Sequence, residues 1–264
     1  MSDLKNYKYL SKERLEKLNF LDTFNFFKNS PKFSIKYDTY FEVYEKIFKN
    51  YRKKKITFVE VGVANGGSLF IWKKFFHEDS RIIGIDLNPE AKNLEKYGFE
   101  IFIGNQSDKK FWDDFYNRVG NIDIILDDGG HKNIQQISTV DNSINNINED
   151  GLIVVEDVHS SFIKWYYNPS KYSFINFTNL IIDSINRRCL HLNHKKQNAY
   201  SKKVYAVEFF ESIVVLKISQ IKSRKSSMIF NDAKDEYFLD FRNNEYFGVI
   251  RNFTEEKLKY LNQI

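Results

Sequence analysis

Apolar positions along this chain follow two patterns. Short continuous runs at about 56–61, 81–85, 99–103, 122–126 and 151–155 have the length and β-branched content of strands buried on both faces. Stretches of helical period alternate with them. One runs from about Ser68 to Phe76, with Leu69, Trp72, Phe75 and Phe76 on its inner face. Such alternation predicts βαβ units and a parallel sheet. Two further helices are predicted at about 10–28 and 39–53, separated by a break at Asn29-Ser30-Pro31-Lys32, and another at about 171–188. Val204 to Phe209 and Ser212 to Ile218, joined by a tight connection, should pair as an antiparallel hairpin. The expected fold is α/β: a doubly wound sheet of five parallel strands plus a C-terminal antiparallel hairpin, with helices on both faces. It is expected to form a single domain over 1–264, with a helical extension at 1–53, a core at 54–218 and a C-terminal extension at 219–264. In that last part Ser219 to Ser227 is polar and basic, Met228 to Ile250 has no clean period, and Glu255 to Leu261 reads as a short closing helix.

In an open α/β sheet the carboxyl ends of the strands form the ligand crevice. The first predicted strand runs into a glycine-rich turn, Gly62-Val63-Ala64-Asn65-Gly66-Gly67-Ser68, whose glycines let backbone approach a ligand. The second ends at Asp86, about 20 residues beyond Gly66, where an acid bonds the hydroxyls of a ribose. Together these features indicate an adenosine-type site. The turn is not a clean G-x-G-x-x-G, and Glu60 just before it would repel a pyrophosphate at the helix N-terminus. A cofactor with an amino group and a sulfonium suits that acid, which points to S-adenosylmethionine. Two further strand ends carry acids: Asp127-Asp128-Gly129-Gly130-His131 and Glu156-Asp157-Val158-His159. Carboxylates crowded in this way repel one another unless a cation or a proton lies among them.

These segments resemble class I S-adenosylmethionine-dependent methyltransferases, whose sheet is Rossmann-like. More narrowly, they resemble the metal-dependent sugar O-methyltransferases of macrolide biosynthesis, of the mycinamicin and tylosin type, and the related cephalosporin hydroxylase-like group. The residues that carry the resemblance are Val59-Glu60-Val61-Gly62-Val63, Gly84-Ile85-Asp86, Gly104-Asn105-Gln106-Ser107-Asp108, Asp127-Asp128-Gly129-Gly130-His131 and Val155-Glu156-Asp157, in family order within about 36–218. Gly130 stands where the family usually has serine, and the N-terminal part is much shorter than in the macrolide enzymes. The resemblance implies that Asp128, Glu156 and Asp157 hold magnesium and that His131 is the general base. It places Gln106 and Ser107 near the adenine and Asp86 on the ribose. Glu60, Gly62, Ala64, Gly66, Ser68 and Asp127 fall on the cofactor side.

The chemistry of the residue types agrees. Three carboxylates without a nearby cysteine make a hard, oxygen-rich site suited to magnesium or manganese rather than zinc. A bound ion lowers the pKa of a sugar hydroxyl and orients it. His131, three residues after Asp128, is close enough to take the proton, and the adjacent cation should keep its imidazole neutral. Two neighbouring hydroxyls on the ion would select a vicinal diol. His159, Trp165 and Tyr166, with Tyr167, are candidate substrate contacts. His191 and His194 have helical ligand spacing but no third ligand, and read as structural.

The net charge of +5 comes from scattered basic residues, including Arg52-Lys53-Lys54-Lys55 and Lys195-Lys196. These read as solvated faces that would also favour a phosphorylated substrate such as a nucleotide sugar. They do not form the basic, aromatic-interleaved stripe of a nucleic-acid module. The single cysteine, Cys189, excludes an internal disulfide and fits a reducing compartment. With neither a signal-peptide core nor a run of membrane-spanning length, the sequence reads as soluble and cytoplasmic. The expected activity is methyl transfer from S-adenosylmethionine to a hydroxyl of a glycosyl substrate, preferably a nucleotide-linked sugar for surface polysaccharide. An iron-dependent small-molecule hydroxylase, a methyltransferase for a non-sugar small molecule and a catalytically silent binding module are the alternatives. Self-association is left open.

Overall fold

Seven strands form one sheet in the order β3-β2-β1-β4-β5-β7-β6. They are Thr57–Val61 (β1), Arg81–Asp86 (β2), Glu100–Ile103 (β3), Ile122–Asp127 (β4), Ile147–Val155 (β5), Val204–Phe210 (β6) and Ile213–Ile218 (β7). The computed structural model describes residues 10–166, 171–188 and 198–232. Contacts divide the chain into Met1–Ser226, which holds every element named here, and Ser227–Ile264. Cys189, His191, His194, Lys195, Lys196, Tyr167 and the expected closing helix at Glu255 to Leu261 lie outside the described residues.

β1 to β5 pair in parallel, while β7 runs antiparallel to both β5 and β6. This is the expected sheet of five parallel strands closed by a hairpin. The strand order reverses between β1 and β4, the switch point where an open sheet of this kind leaves a ligand crevice.

Side-chain alternation along the strands divides the interior into two layers. Phe58, Ile82, Ile124, Leu126, Leu152 and Val154 point to one face, covered by Asp22–Lys28 (α2), Asp38–Phe48 (α3) and Gly67–Phe75 (α4). Val59, Val61, Ile83, Ile85, Ile125, Ile153 and Val155 point to the other, under Lys109–Val119 (α5), Asn133–Ser143 (α6) and Phe174–Asn186 (α7). The first layer is built largely from rings: Phe48 meets Phe58, Trp72 and Phe76 at centroid distances of 6.0, 5.4 and 5.8 Å. Edge-to-face packing of this kind gains from the ring quadrupoles as well as from burial.

Three boundaries differ from expectation. The helix expected at 10–28 is two helices, Lys12–Leu18 (α1) and α2, because Asn25 donates from its side chain to the Asn19 carbonyl at 2.8 Å. Asparagine side chains compete with the helical ladder in this way. α3 ends at Phe48 and continues only as a 3-10 turn, Lys49–Tyr51. β5 starts at Ile147 rather than about 151; the exposed Glu149 and Asp150 near its start hide it from an apolar-run criterion. The remaining helix is Ala199–Lys203 (α8), and Pro89–Tyr97 after β2 is 3-10 helical.

Candidate active site at the ends of β1, β4 and β5

Register decides which acids meet. Glu60 pairs with Leu126 across β1 and β4, and Asp127 pairs with Val155 across β4 and β5. Glu60, Asp128 and Glu156 therefore share the parity of Leu126 and Val154 and project toward the face covered by α3 and α4. Asp127 has the opposite parity. Its buried carboxylate takes the Gln106 side-chain amide at 3.0 and 3.1 Å and the Gly129 N–H at 3.0 Å. Burial raises its pKa against those hydrogen bonds.

Beside β1 lies a cleft of about 480 Å³, lined among others by Gly62, Ala64, Asp86, Gln106, Asp128 and Gly129. That volume falls within the range of small-molecule sites. Asp86 Oδ2 accepts the N–H of Val63 at 3.0 Å and of Ala64 at 2.9 Å, and its Oδ1 accepts the N–H of Asn88 at 2.8 Å. Asp86 thus braces the turn, including Ala64 at φ 44°. Gly62, at φ 82°, has no space for a side chain, since a Cβ there would run into the Asp128 carbonyl. Gly66 ends the turn and precedes α4. Gln106 is buried; its Oε1 accepts the Gly130 N–H at 2.9 Å, tying the loop after β3 to the loop after β4. Ser107 is exposed and is not part of the cleft lining. A Cβ at Gly130 would meet only the movable end of the Gln135 side chain, so the structure does not explain glycine where the resembling proteins have serine.

Glu60 and Ser68 do not line that cleft. Both are buried, with the Ser68 hydroxyl donating to Glu60 Oε2 at 2.9 Å and Trp72 Nε1 donating to the same oxygen at 3.2 Å. Glu60 Oε1 has no hydrogen-bond partner and lies 4.0 Å from Lys36 Nζ. Burial pushes the Glu60 carboxyl up to about 7 against the attraction of Lys36.

Segments from the N-terminal part complete the acid cluster. Lys36 Nζ donates at 2.6 Å to Asp128 Oδ2 and at 2.6 Å to Glu156 Oε2, with its side chain only 2% exposed. Tyr44 donates its hydroxyl to Glu156 Oε1, and Tyr40, four residues earlier on α3, donates to Asp157 Oδ1. Burial opposes charge on Lys36 and Glu156 alike. Two carboxylates at hydrogen-bonding distance hold the ammonium well above its ordinary pKa, so we read Lys36–Glu156 as an ion pair.

His131 lies across from this cluster. Its Nε2 is 3.3 Å from Asp157 Oδ2, while its Nδ1 is buried without a hydrogen-bond partner. His131 at φ 55° and Asp157 at φ 56° both occupy the left-handed region, a strained arrangement for residues with side chains and one that clusters at functional sites. One ligand atom from each of Asp128, His131 and Asp157 lies within 4.8 Å of the others. Two carboxylates and an imidazole so placed, with no thiol among them, fit a hard divalent ion.

The aromatic candidates divide. The Tyr166 ring is edge-on to His131 at 6.2 Å, whereas Trp165 is 83% exposed. His159 Nδ1 pairs with the Ser212 hydroxyl and its ring meets Tyr37 at 5.7 Å. Lys36, Tyr40 and Tyr44 were not anticipated from the sequence. The signal was their spacing of four, with tyrosines on the otherwise apolar face of Phe41, Ile47 and Phe48. A buried tyrosine hydroxyl needs a partner, and here the partners are acids.

No protein-family model matches the chain. It is 29% identical over 157 residues to an 8-demethyl-8-alpha-L-rhamnosyl tetracenomycin-C 2'-O-methyltransferase of Streptomyces olivaceus, covering 56% of this chain and 41% of that protein. It is 29% identical over 126 residues to the mycinamicin VI 2''-O-methyltransferase of Micromonospora griseorubida, covering 45% of this chain and 31% of that protein. The matches thus span less than half the length of these curated relatives. The MycE methyltransferase of the mycinamycin pathway, solved with Mg and SAH, superposes with a TM-score of 0.69 at 21% identity, over 83% of this chain and 57% of that one. The fold is that of class I S-adenosylmethionine-dependent methyltransferases, and the sequence relatives are sugar O-methyltransferases.

Proposed function

We propose that this chain, built on the class I methyltransferase fold, moves a methyl group from S-adenosylmethionine to a sugar hydroxyl with the help of magnesium or manganese. One observation carries the reading. Asp128 lines the cofactor-sized cleft and also belongs to the acid and histidine cluster, so the cleft and the candidate metal site share a wall.

The residues have distinct tasks. Asp86, through the turn it braces, shapes the cleft and would face the ribose. Of the three carboxylates, those of Asp128 and Asp157 are the ones available to a divalent ion, because both oxygens of Glu156 are engaged by Lys36 and Tyr44. When bound, that ion would lower the pKa of the acceptor hydroxyl and fix its direction. Asp157 Oδ2, 3.3 Å from Nε2, orients the imidazole of His131, the candidate base for the acceptor hydroxyl. Tyr166, edge-on to His131, is the candidate contact for the acceptor, with His159 a second. The net charge of +5 favours an acceptor sugar carried on a phosphate, as in nucleotide-linked sugars for surface polysaccharide. The usual iron site needs two histidines and one carboxylate, whereas this cluster contains one histidine.

The test is calorimetric titration with S-adenosylhomocysteine, with NAD as control, followed by methyl transfer to nucleotide sugars before and after chelation. Micromolar binding of the first ligand and turnover restored by magnesium support the reading. Binding of NAD alone overturns it.

A further inference from the structure

Both oxygens of Glu156 are already taken. Oε1 accepts the Tyr44 hydroxyl and Oε2 accepts Lys36 Nζ at 2.6 Å, in a side chain with no exposed surface. Asp128 gives only Oδ2 to the same ammonium. Asp157 shares Oδ1 with Tyr40 and turns Oδ2 toward His131. The buried, unpartnered Glu60 Oε1 faces Lys36 from the other side at 4.0 Å. The acid cluster therefore has two halves: an inner one organised around an ammonium, and an outer one of Asp128, Asp157 and His131, whose ligand atoms lie within 4.8 Å of one another.

We propose that Lys36 is the resident cation of the inner half and that it withholds Glu156 from the metal, confining a divalent ion to the outer half. This deepens the reading of the site as a metal-dependent methyltransferase and rests on it. Lys36 is then a positioning residue. It fixes where the ion sits, and it limits affinity by removing one carboxylate from the ligand set and placing a like charge beside the ion. An ion held by so few protein oxygens depends on the acceptor's hydroxyls to complete its coordination, which couples metal retention to the presence of a diol.

The experiment is titration of the purified chain with Mn2+ alone, followed by electron paramagnetic resonance, with S-adenosylhomocysteine affinity measured on the same samples. Lys36→Met keeps the stem and removes the charge; it should tighten Mn2+ binding at least about tenfold, and adding Glu156→Gln to that variant should reverse the gain. In the otherwise unchanged chain, Glu156→Gln should alter Mn2+ affinity by less than about twofold, and Lys36→Arg should not tighten it. If Lys36→Met fails to fold, Glu156→Gln decides alone, because the amide can keep contacts with Tyr44 and Lys36. Unchanged or weaker Mn2+ binding in folded Lys36→Met, or loss of Mn2+ binding in Glu156→Gln, overturns the proposal. S-adenosylhomocysteine binding retained alongside either result leaves the methyltransferase reading standing. Its absence from the unmodified chain brings down that reading instead.

Discussion

His131 Nε2 lies 3.3 Å from Asp157 Oδ2, and both residues hold left-handed backbone at the ends of adjacent parallel strands. The arrangement presents a base beside an acid. His131→Ala should therefore lower turnover by at least about 10²-fold. S-adenosylhomocysteine affinity should stay within about twofold of the unmodified chain, because the ring is not part of the cleft wall. Calorimetry beside a methyl-transfer assay separates the two, and a large loss of cofactor affinity would move His131 out of the role of base.

Asp86 acts on the cofactor through backbone. Asp86→Ala frees the N–H groups of Val63 and Ala64 and removes the candidate ribose acceptor at the same time. Cofactor affinity should fall by about 10- to 100-fold, the equivalent of about 1.4 to 2.8 kcal/mol. An unchanged dissociation constant would remove Asp86 from the site.

Glu60 makes stability depend on pH. Its folded pKa is raised by burial from 4.5 to about 7, so the unfolded chain releases this proton first and the folded state loses stability as pH rises from about 4.5 to about 7. Glu60→Gln removes that term while leaving an oxygen for Ser68 and Trp72. Measured by urea unfolding at pH 5 and pH 8, the variant should gain about 2 to 3 kcal/mol relative to the unmodified chain over that interval. An equal difference at both pH values would show that Glu60 titrates normally in the folded state.

Tyr44→Phe deletes one buried hydroxyl and leaves Glu156 Oε1 without its donor. The expected loss is about 1 to 3 kcal/mol, read as a lowered thermal midpoint, with burial of the ring itself preserved. Tyr40→Phe should cost less stability, because Asp157 is partly exposed, but it should disturb metal affinity more. A midpoint unaffected by Tyr44→Phe would mean that Lys36 alone sustains Glu156.

Much of this fold is legible from periodicity, because its strands are buried on both faces and bounded by glycine or acids. β1, β2 and β4 each differ by one residue from their apolar runs. The N-terminal end of β5 is not legible, since Asn148, Glu149 and Asp150 are polar residues at the solvated start of the strand. The acids of the site are legible as strand-end residues, and register then brings Glu60, Asp128 and Glu156 together. Their partners are not, because Lys36, Tyr40 and Tyr44 reach them across the tertiary structure and no local pattern reports that contact. For the same reason Glu60 and Ser68 read as cofactor residues from their place in the turn, whereas packing under α4 turns both inward.

The separation along the chain between Lys36 and its acids, 92 residues to Asp128 and 120 to Glu156, orders the birth of the site in time. At a synthesis rate of roughly 5–20 residues per second, the lysine leaves the ribosome roughly 6–24 s before its second partner exists. Closing so long a loop carries an entropic cost repaid only once β4 and β5 are in register. The expected consequence is that the acid cluster seals late in folding, after the parallel sheet has formed around it.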